Sequence, residues 1–439
     1  MTRNTYIRCG AAVVTVILAG WTVNWLIAPS NAELVTEGRA LFLHEWTVND
    51  ELAAEGDGLG PVFNARSCVA CHFQGGVGGG GSIDNNVTAF QVFPNREDSQ
   101  FYAGVIHAEA TTVEFRETVE NVHRIYPVIP ESTRVVSGCS ITIEPFDPVL
   151  VEHINTPALY GAGSIDRISA FAIKTSRRGR LLDGIADDFN LRFDAPVPGK
   201  LRTHGFDGVG KFGWRGQFAT LEYFVATACA VELGLTNPQR AQDLPLRHVP
   251  DDDAQFDMTS RQLEALVTYC RNLPRPKQVL PTNAGQLQTV NTGEHIFLEI
   301  GCADCHQPDI GGIEGVYSDF LLYSLEPREQ SNGYGVSRTP EVALPHNVQN
   351  PDEWQTPPLW GVADSAPYFH DGAAATLEDA IARHDGEASK VLQRHTQLKP
   401  RDRRQLIAFL KSLRAPLSAE PVQHQSTLDD PSSLSAHSR

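Results

Sequence analysis

The sequence predicts a mainly α-helical chain built from two unequal copies of one unit, the first copy carrying a long insertion with some β-structure. Three observations predict this. A pentad of two cysteines three apart followed by a histidine occurs twice, as Cys68, Cys71 and His72 in "CVACH" and as Cys302, Cys305 and His306 in "CADCH". An amphipathic segment precedes each pentad: "EGRALFLHEW" resembles "TGEHIFLEIG", with Gly38 matching Gly293, and Leu41 and Phe42 matching Ile296 and Phe297. Segments with apolar residues at helical spacing, each followed by a proline, close the two halves: "TSRQLEALVTYCRNLPRP" and "KPRDRRQLIAFLKSLRAP".

Taken in order, the chain opens on an address. Arg3 and Arg8 precede an uncharged stretch from Cys9 to Ala32 that ends in Ser30-Asn31-Ala32, a small-x-small pattern suited to signal peptidase. The apolar run is also about as long as a membrane span, so residues 1–32 are a signal peptide or an N-terminal anchor. Either reading puts the working part outside the cytoplasm, in the periplasm or its equivalent, with membrane contact only through that anchor. The first unit spans 33–278, with the insertion at about 84–210, where "RVVSGCSITIEPF" alternates like a strand or hairpin. The second unit spans 279–416. Residues 417–439 are polar and rich in serine and read as a disordered tail. A length of 439 residues with 41% hydrophobic content gives each unit a core, and a net charge of −17 argues against nucleic-acid binding through a basic surface.

The pentads carry the chemistry. Two thiols one helical turn apart reach the two vinyl groups of a haem as thioethers, while the following imidazole lies under the iron. A four-cysteine zinc site needs no histidine after each pair, and a thioredoxin-like pair needs a different surrounding fold. The two units therefore read as cytochrome c-like domains, with two covalently bound c-type haems whose proximal ligands are His72 and His306. Glycines 75, 76 and 78–81 beside the first pentad suit either a close approach to the haem or a loose linker.

Function turns on the sixth ligand, because an iron with an open side binds small molecules and a six-coordinate iron shuttles electrons. The only methionines are Met1 and Met258, and Met258, at the start of a closing helix, reads as packing or surface rather than as a ligand. In "ATLEDAIARHDGEA", Leu377, Ala380, Ile381 and His384 share one face of a short helix, which makes His384 either a core histidine or a ligand. His44, His107, His123, His153 and His204 are further candidates to cap the first iron. Arg66, beside the first pentad, is a candidate partner for a haem propionate. Cys139, Cys229 and Cys270 remain outside the pentads, and Cys229 and Cys270 are either a disulfide or two buried thiols.

The stretch "QTPPLWGVADSAPYFHDGAAATLEDAIARH", residues 355–384, closely resembles the C-terminal haem domain of bacterial di-haem cytochrome c peroxidases and of MauG. Together "GDGLGPVFNARSCVACH", 56–72, and "GKFGWRGQFATLE", 210–222, resemble the di-haem oxidoreductase branch, also called thiol oxidoreductases. The resemblance covers most of residues 35–415. It implies that His384, standing where the peroxidases have methionine and MauG has tyrosine, is the second axial ligand of the C-terminal haem. It implies that Trp214 carries electrons between the haems and that Glu232 moves protons at the N-terminal one. His370 in "YFHDG" is implied to position the haem or the interdomain contact. The expected activity is reduction of hydrogen peroxide at the N-terminal haem, with electrons from a small redox protein or a quinol-linked donor entering through the C-terminal haem. MauG-like oxidation of an organic or protein substrate, and a non-enzymatic electron carrier, are the alternatives. The resemblance also raises an interdomain calcium ion, for which the sequence names no ligands.

Overall fold

The computed structural model describes residues 30–92, 102–136, 139–177, 197–205, 208–246, 255–325 and 353–422. Its helices include α1 (Asn31–Leu43), α2 (Val119–Ile125), α3 (Ala162–Asp166), α4 (Leu221–Glu232), α5 (Ser260–Asn272), α6 (Ala284–Glu299), α7 (Leu377–Ala382), α8 (Ser389–Gln397) and α9 (Pro400–Leu410). Small sheets accompany them: β1 (Val87–Val92), β2 (Tyr102–Ile106), β3 (Ser132–Val136), β4 (Cys139–Ile143), β5 (Val149–Ile154), β6 (Leu322–Ser324) and β7 (Glu353–Gln355), besides strands of two residues. The chain is mainly α, as its periodicity predicts.

Two helix crossings repeat one another. Helix α1 crosses α5 at Gly38, where an added Cβ would lie 2.0 Å from the carbonyl oxygen of Ala265 and 2.8 Å from Cβ of Tyr269. Helix α6 crosses α9 at Gly293, where it would lie 1.9 Å from the carbonyl oxygen of Gln405 and 2.9 Å from Cβ of Phe409. In both, glycine meets residues four apart on the partner helix. Aromatic rings one turn further on repeat the match: Phe42 and Tyr269 lie 5.3 Å apart, as do Phe297 and Phe409. Because backbone opposes the missing Cβ, Gly293→Ala forces the helices apart. A loss of about 1–3 kcal/mol is expected, read as a lowered denaturant midpoint; an unchanged midpoint would mean that the crossing is not close.

Both ends of the described chain make specific contacts. Ser30 is the N-cap of α1, its Oγ accepting from the Glu33 amide at 3.2 Å, so the Ser30-Asn31-Ala32 pattern forms a cap and first turn. Residues 1–29, the rest of the predicted leader, lie outside the described residues. Among the described residues no helix is long and apolar enough to cross a membrane. The predicted tail begins as an ordered strap: the carbonyl of Glu420 accepts from the Val77 amide at 2.7 Å, and its carboxylate pairs with Arg39. Those contacts satisfy polar groups that a free tail would leave to water. Residues 423–439 lie outside the described residues.

The alternating stretch in the insertion does form a hairpin, β3–β4, in register from Ser132↔Ile143 to Val136↔Cys139. The insertion also holds a three-stranded antiparallel sheet of order β2-β1-β5, with its own small core of Phe90, Val92, Ile106, Val122 and Val149. The largest core gathers Phe42, Trp46, Met258 and Leu266 from the first half with Phe320 and Trp360 from the second. A separate core forms around Phe297, Leu406 and Phe409.

Candidate haem sites

At the first pentad, Cys68–Ala70 forms one turn of 3-10 helix, and the backbone amide of His72 donates to the carbonyl of Cys68 at 3.0 Å. The His72 ring packs 6.2 Å from Phe42 of α1, and its Nδ1–H donates to the carbonyl of Gly79 at 3.1 Å. Burial holds its pKa down at about 4. A neutral imidazole with Nδ1–H committed to a carbonyl keeps the Nε2 lone pair for a metal. Gly76 and Gly78–Gly81 are buried and held in place, and Gly75 is exposed. Gly79 could carry no side chain, because a Cβ would fall 1.7 Å from the carbonyl oxygen of Gln74, and Gly76, at φ +125°, lies against the Glu420 carbonyl.

The second pentad repeats this arrangement. The His306 amide donates to Cys302 at 3.0 Å, its ring lies 6.5 Å from Phe297 of α6, and its Nδ1–H donates to the carbonyl of Tyr317 at 3.1 Å. Burial again holds the imidazole down at about 4. Opposite it stands His384, two residues beyond the end of α7 rather than within it. Its Nδ1–H donates back to the carbonyl of Ala380 at 2.8 Å, and burial lowers its pKa. The two rings face each other across a cavity of about 370 Å³, with centroids 6.3 Å apart. Two metal–imidazole bonds of about 2 Å, plus the offset of each ring centre behind its nitrogen, account for that spacing. Phe297, Ile300, Leu377, Ile381, Leu406 and the two cysteines also line the cavity, an apolar surface suited to a porphyrin.

The same cavity reveals a second repeat, which the sequence signals by the tripeptide Thr-Leu-Glu at 220–222 and 376–378. The loops before these tripeptides match in their bridges, positive-φ positions and caps at a constant spacing. Phe212 bridges Phe218 as Tyr368 bridges Ala374; Gly213 and Phe369 both have positive φ, as do Gly216 and Gly372; Thr220 and Thr376 both cap the helix that follows. Trp214 in one loop therefore corresponds to His370 in the other. Asn155 joins them, its carbonyl accepting from Trp214 Nε1 at 2.7 Å and its amide donating to the carbonyl of His370 at 2.7 Å. Trp354 of β7 is sandwiched between the His370 ring, 3.3 Å away and nearly parallel, and the Arg215 guanidinium at 3.8 Å. Arg215 is in turn held by Glu152 through two bonds of 2.8 and 2.7 Å. Sequence reasoning missed Trp354 and Asn155, whose importance lies only in contacts across the chain.

Glu232 ends α4 beside the first pentad. Its Oε2 accepts from Asn64 Nδ2 at 2.7 Å, and burial raises its pKa. Burial first, and the Glu232 carboxylate second, push the Cys71 thiol up to about 11. Each candidate capping histidine has at least one ring nitrogen bonded within the chain, and His107 and His123 have both. His44 Nε2 meets Asp50 at 2.9 Å, His123 bonds Val119 and Asp147, and His204 Nε2–H donates to Gly216 at 2.9 Å. His153 lies 3.4 Å from the Thr88 hydroxyl, and both ring nitrogens of His107 meet acceptors. Arg66 lies over the Phe63 ring at 5.9 Å. Met258 is 1% exposed in the core, and Cys229 and Cys270 are buried free thiols; the side chain of Cys139 lies outside the described residues. No cluster of three or more histidine, cysteine, aspartate or glutamate side chains that could hold a metal ion, calcium included, occurs among the described residues.

Two buried, carbonyl-anchored imidazoles at duplicated pentads, one facing a second imidazole across an apolar cavity, define a haem-dependent oxidoreductase. The comparisons specify which. A family model described as "Di-haem oxidoreductase, putative peroxidase" matches residues 83–413, and the chain belongs to that family. The chain is 29% identical over 179 residues to hydrazine synthase subunit gamma of Kuenenia stuttgartiensis, covering 35% of this chain and 49% of that protein. It is 22% identical over 261 residues to the cytochrome-c peroxidase IdrP1 of a Pseudomonas species, covering 50% of this chain and 67% of that one. It thus spans about half the length of the hydrazine synthase subunit. A solved hydrazine synthase from Kuenenia stuttgartiensis aligns over 88% of this chain and 89% of its own at 18% identity with a TM-score of 0.39, too low to carry an argument.

Proposed function

We propose that this protein reduces hydrogen peroxide at a haem attached through Cys68, Cys71 and His72, drawing electrons through a haem attached through Cys302, Cys305 and His306 and capped by His384. Residues 33–278 and 279–416 are the two haem units. The observation that carries this reading is the asymmetry between the pentads. His306 faces His384 at a spacing that fits one iron between them, whereas the ring packed on His72 is Phe42 and, of the histidines considered as caps for the first iron, His107 and His123 have both ring nitrogens bonded. An electron-transfer site needs two fixed ligands, and a reactive site needs an open side.

Haem iron supplies the redox chemistry and the binding position for peroxide. The chain supplies everything else. His72 and His306 are oriented by the carbonyls of Gly79 and Tyr317. Glu232, buried and held by Asn64, takes a proton from one peroxide oxygen and returns it to the other. Trp214, fixed through Asn155 on the wall of the second cavity, offers an aromatic path for electrons toward the first. The donor is a small redox protein or a quinol-linked carrier outside the cytoplasm, and residues 1–32 direct the chain there.

Electronic and EPR spectra of the purified ferric protein, before and after one equivalent of peroxide, test this. One high-spin signal lost on adding peroxide, beside one low-spin signal, is the expected result. Two low-spin haems indifferent to peroxide, both as isolated and half-reduced, would leave an electron carrier.

A further inference from the structure

His107 follows strand β2 of the insertion and is 3% exposed. Its Nδ1 lies 2.8 Å from Glu117 Oε2 and its Nε2 lies 3.1 Å from the carbonyl of Val231. Two backbone amides donate to the Glu117 oxygens and favour its ionised form; with Glu117 and the Val231 carbonyl both accepting, both ring nitrogens carry hydrogen and the side chain is an imidazolium. Glu117 is buried as deeply, and its carboxylate also takes the amides of His107 and Leu246. This ion pair is tied directly to Glu232. Val231 precedes Glu232, and Asn64, which donates to the Glu232 carboxylate, accepts from the amide of Ala108 at 2.9 Å. On the outer side, Asp243 Oδ2 approaches His107 Nε2 at 4.0 Å, is partly open to solvent and pairs with Arg240 at 3.3 Å.

We infer that the insertion supplies His107 as a fixed positive charge which, opposed by Asp243, sets the charge state of Glu232 at the first pentad. The inference rests on the reading of Glu232 as the proton-moving group. His107 is a positioning residue in this arrangement and touches no reacting atom. The charged and titratable groups around Glu232 are His107 with Glu117 behind it, Asp243, Arg240 and Cys71. A nearby cation favours the carboxylate and a nearby anion favours the acid. Burial raises the Glu232 pKa, Asp243 adds to the rise, and His107 and Arg240 offset it. Removing each group therefore moves Glu232 in a known direction.

The test uses the ferric haem-loaded protein. The carboxyl stretch of Glu232 is identified by its loss in Glu232→Gln, and its protonation midpoint is followed by infrared titration without peroxide. Replacing the buried pair together, as His107→Gln/Glu117→Gln, keeps two neutral hydrogen-bonding side chains and is expected to raise the midpoint by less than about one pH unit, because loss of the more distant Glu117 carboxylate partly offsets loss of the imidazolium. Asp243→Asn, a change at a partly exposed site that folds independently of the buried pair, is expected to lower it by a similar amount. Shifts of opposite sign are the signature, since a loosened fold moves both variants alike. An Asp243→Asn midpoint that stays or rises, or a double variant whose midpoint stays or falls, overturns the inference. Midpoints that move as expected in a protein inert to peroxide would uphold it while sinking the peroxidase reading.

Discussion

Glu232→Gln is expected to slow the reaction of the first haem with hydrogen peroxide by about 10²–10⁴-fold, the range for removing a positioned acid–base group. The substitution preserves shape, and the new amide oxygen can still accept from Asn64. It removes only the capacity to hold and release a proton. The spectrum of the second haem should be unaltered, because Glu232 lies at the end of α4 beside the first pentad, remote in sequence from the residues around His306. Stopped-flow mixing of the half-reduced protein with peroxide reads the rate, and a variant within threefold of the parent would assign the proton transfer to another group.

His384→Met is expected to raise the potential of the second haem by a substantial share of the roughly 0.8 V range that axial ligands span. Imidazole stabilises the ferric state relative to thioether, so the sign is upward. His384→Ala should turn the low-spin signal of that haem high-spin. The pocket is built to hold this side chain: Ala380 fixes Nδ1, and Phe369 packs 5.4 Å from the ring. Spectroelectrochemical titration measures the potential, and an unmoved potential together with a persistent low-spin signal would remove His384 from the iron.

Local pattern made much of this legible. The pentads needed only spacing, and both helix pairs were visible because helical periodicity persists whatever the helix packs against. Gly38 and Gly293 were matched as letters, and the close crossings explain why both positions lack a side chain. Helical register marks His384 as either a core histidine or a ligand, and only the resemblance favours the ligand; the helix in fact ends before it, and the ring is fixed by a bond back to the last turn. What remained hidden depends on contacts between distant segments. His107 reads as one histidine among several until Glu117 and Val231 meet it from 10 and 124 residues away. The loops of Trp214 and His370 share few side chains, so their equivalence lies in backbone angles and bridges more than in identities. The strap segment 417–422 is composed like a tail, and the amide of Val77, the charge of Arg39 and the packing of Val422 on the main core distinguish it from one.

That strap has a consequence for the order of biosynthesis. Glu420 is made roughly 340 residues after Gly79, which at about 5–20 residues per second amounts to some 20–70 s. Throughout that interval the glycine loop, whose carbonyl orients His72, lacks the segment that covers Gly75 and Gly76. The loop that orients the His72 ring therefore stays uncovered on that side until residues 415–420 exist, and the first pentad is completed only by contacts from the far end of the described chain.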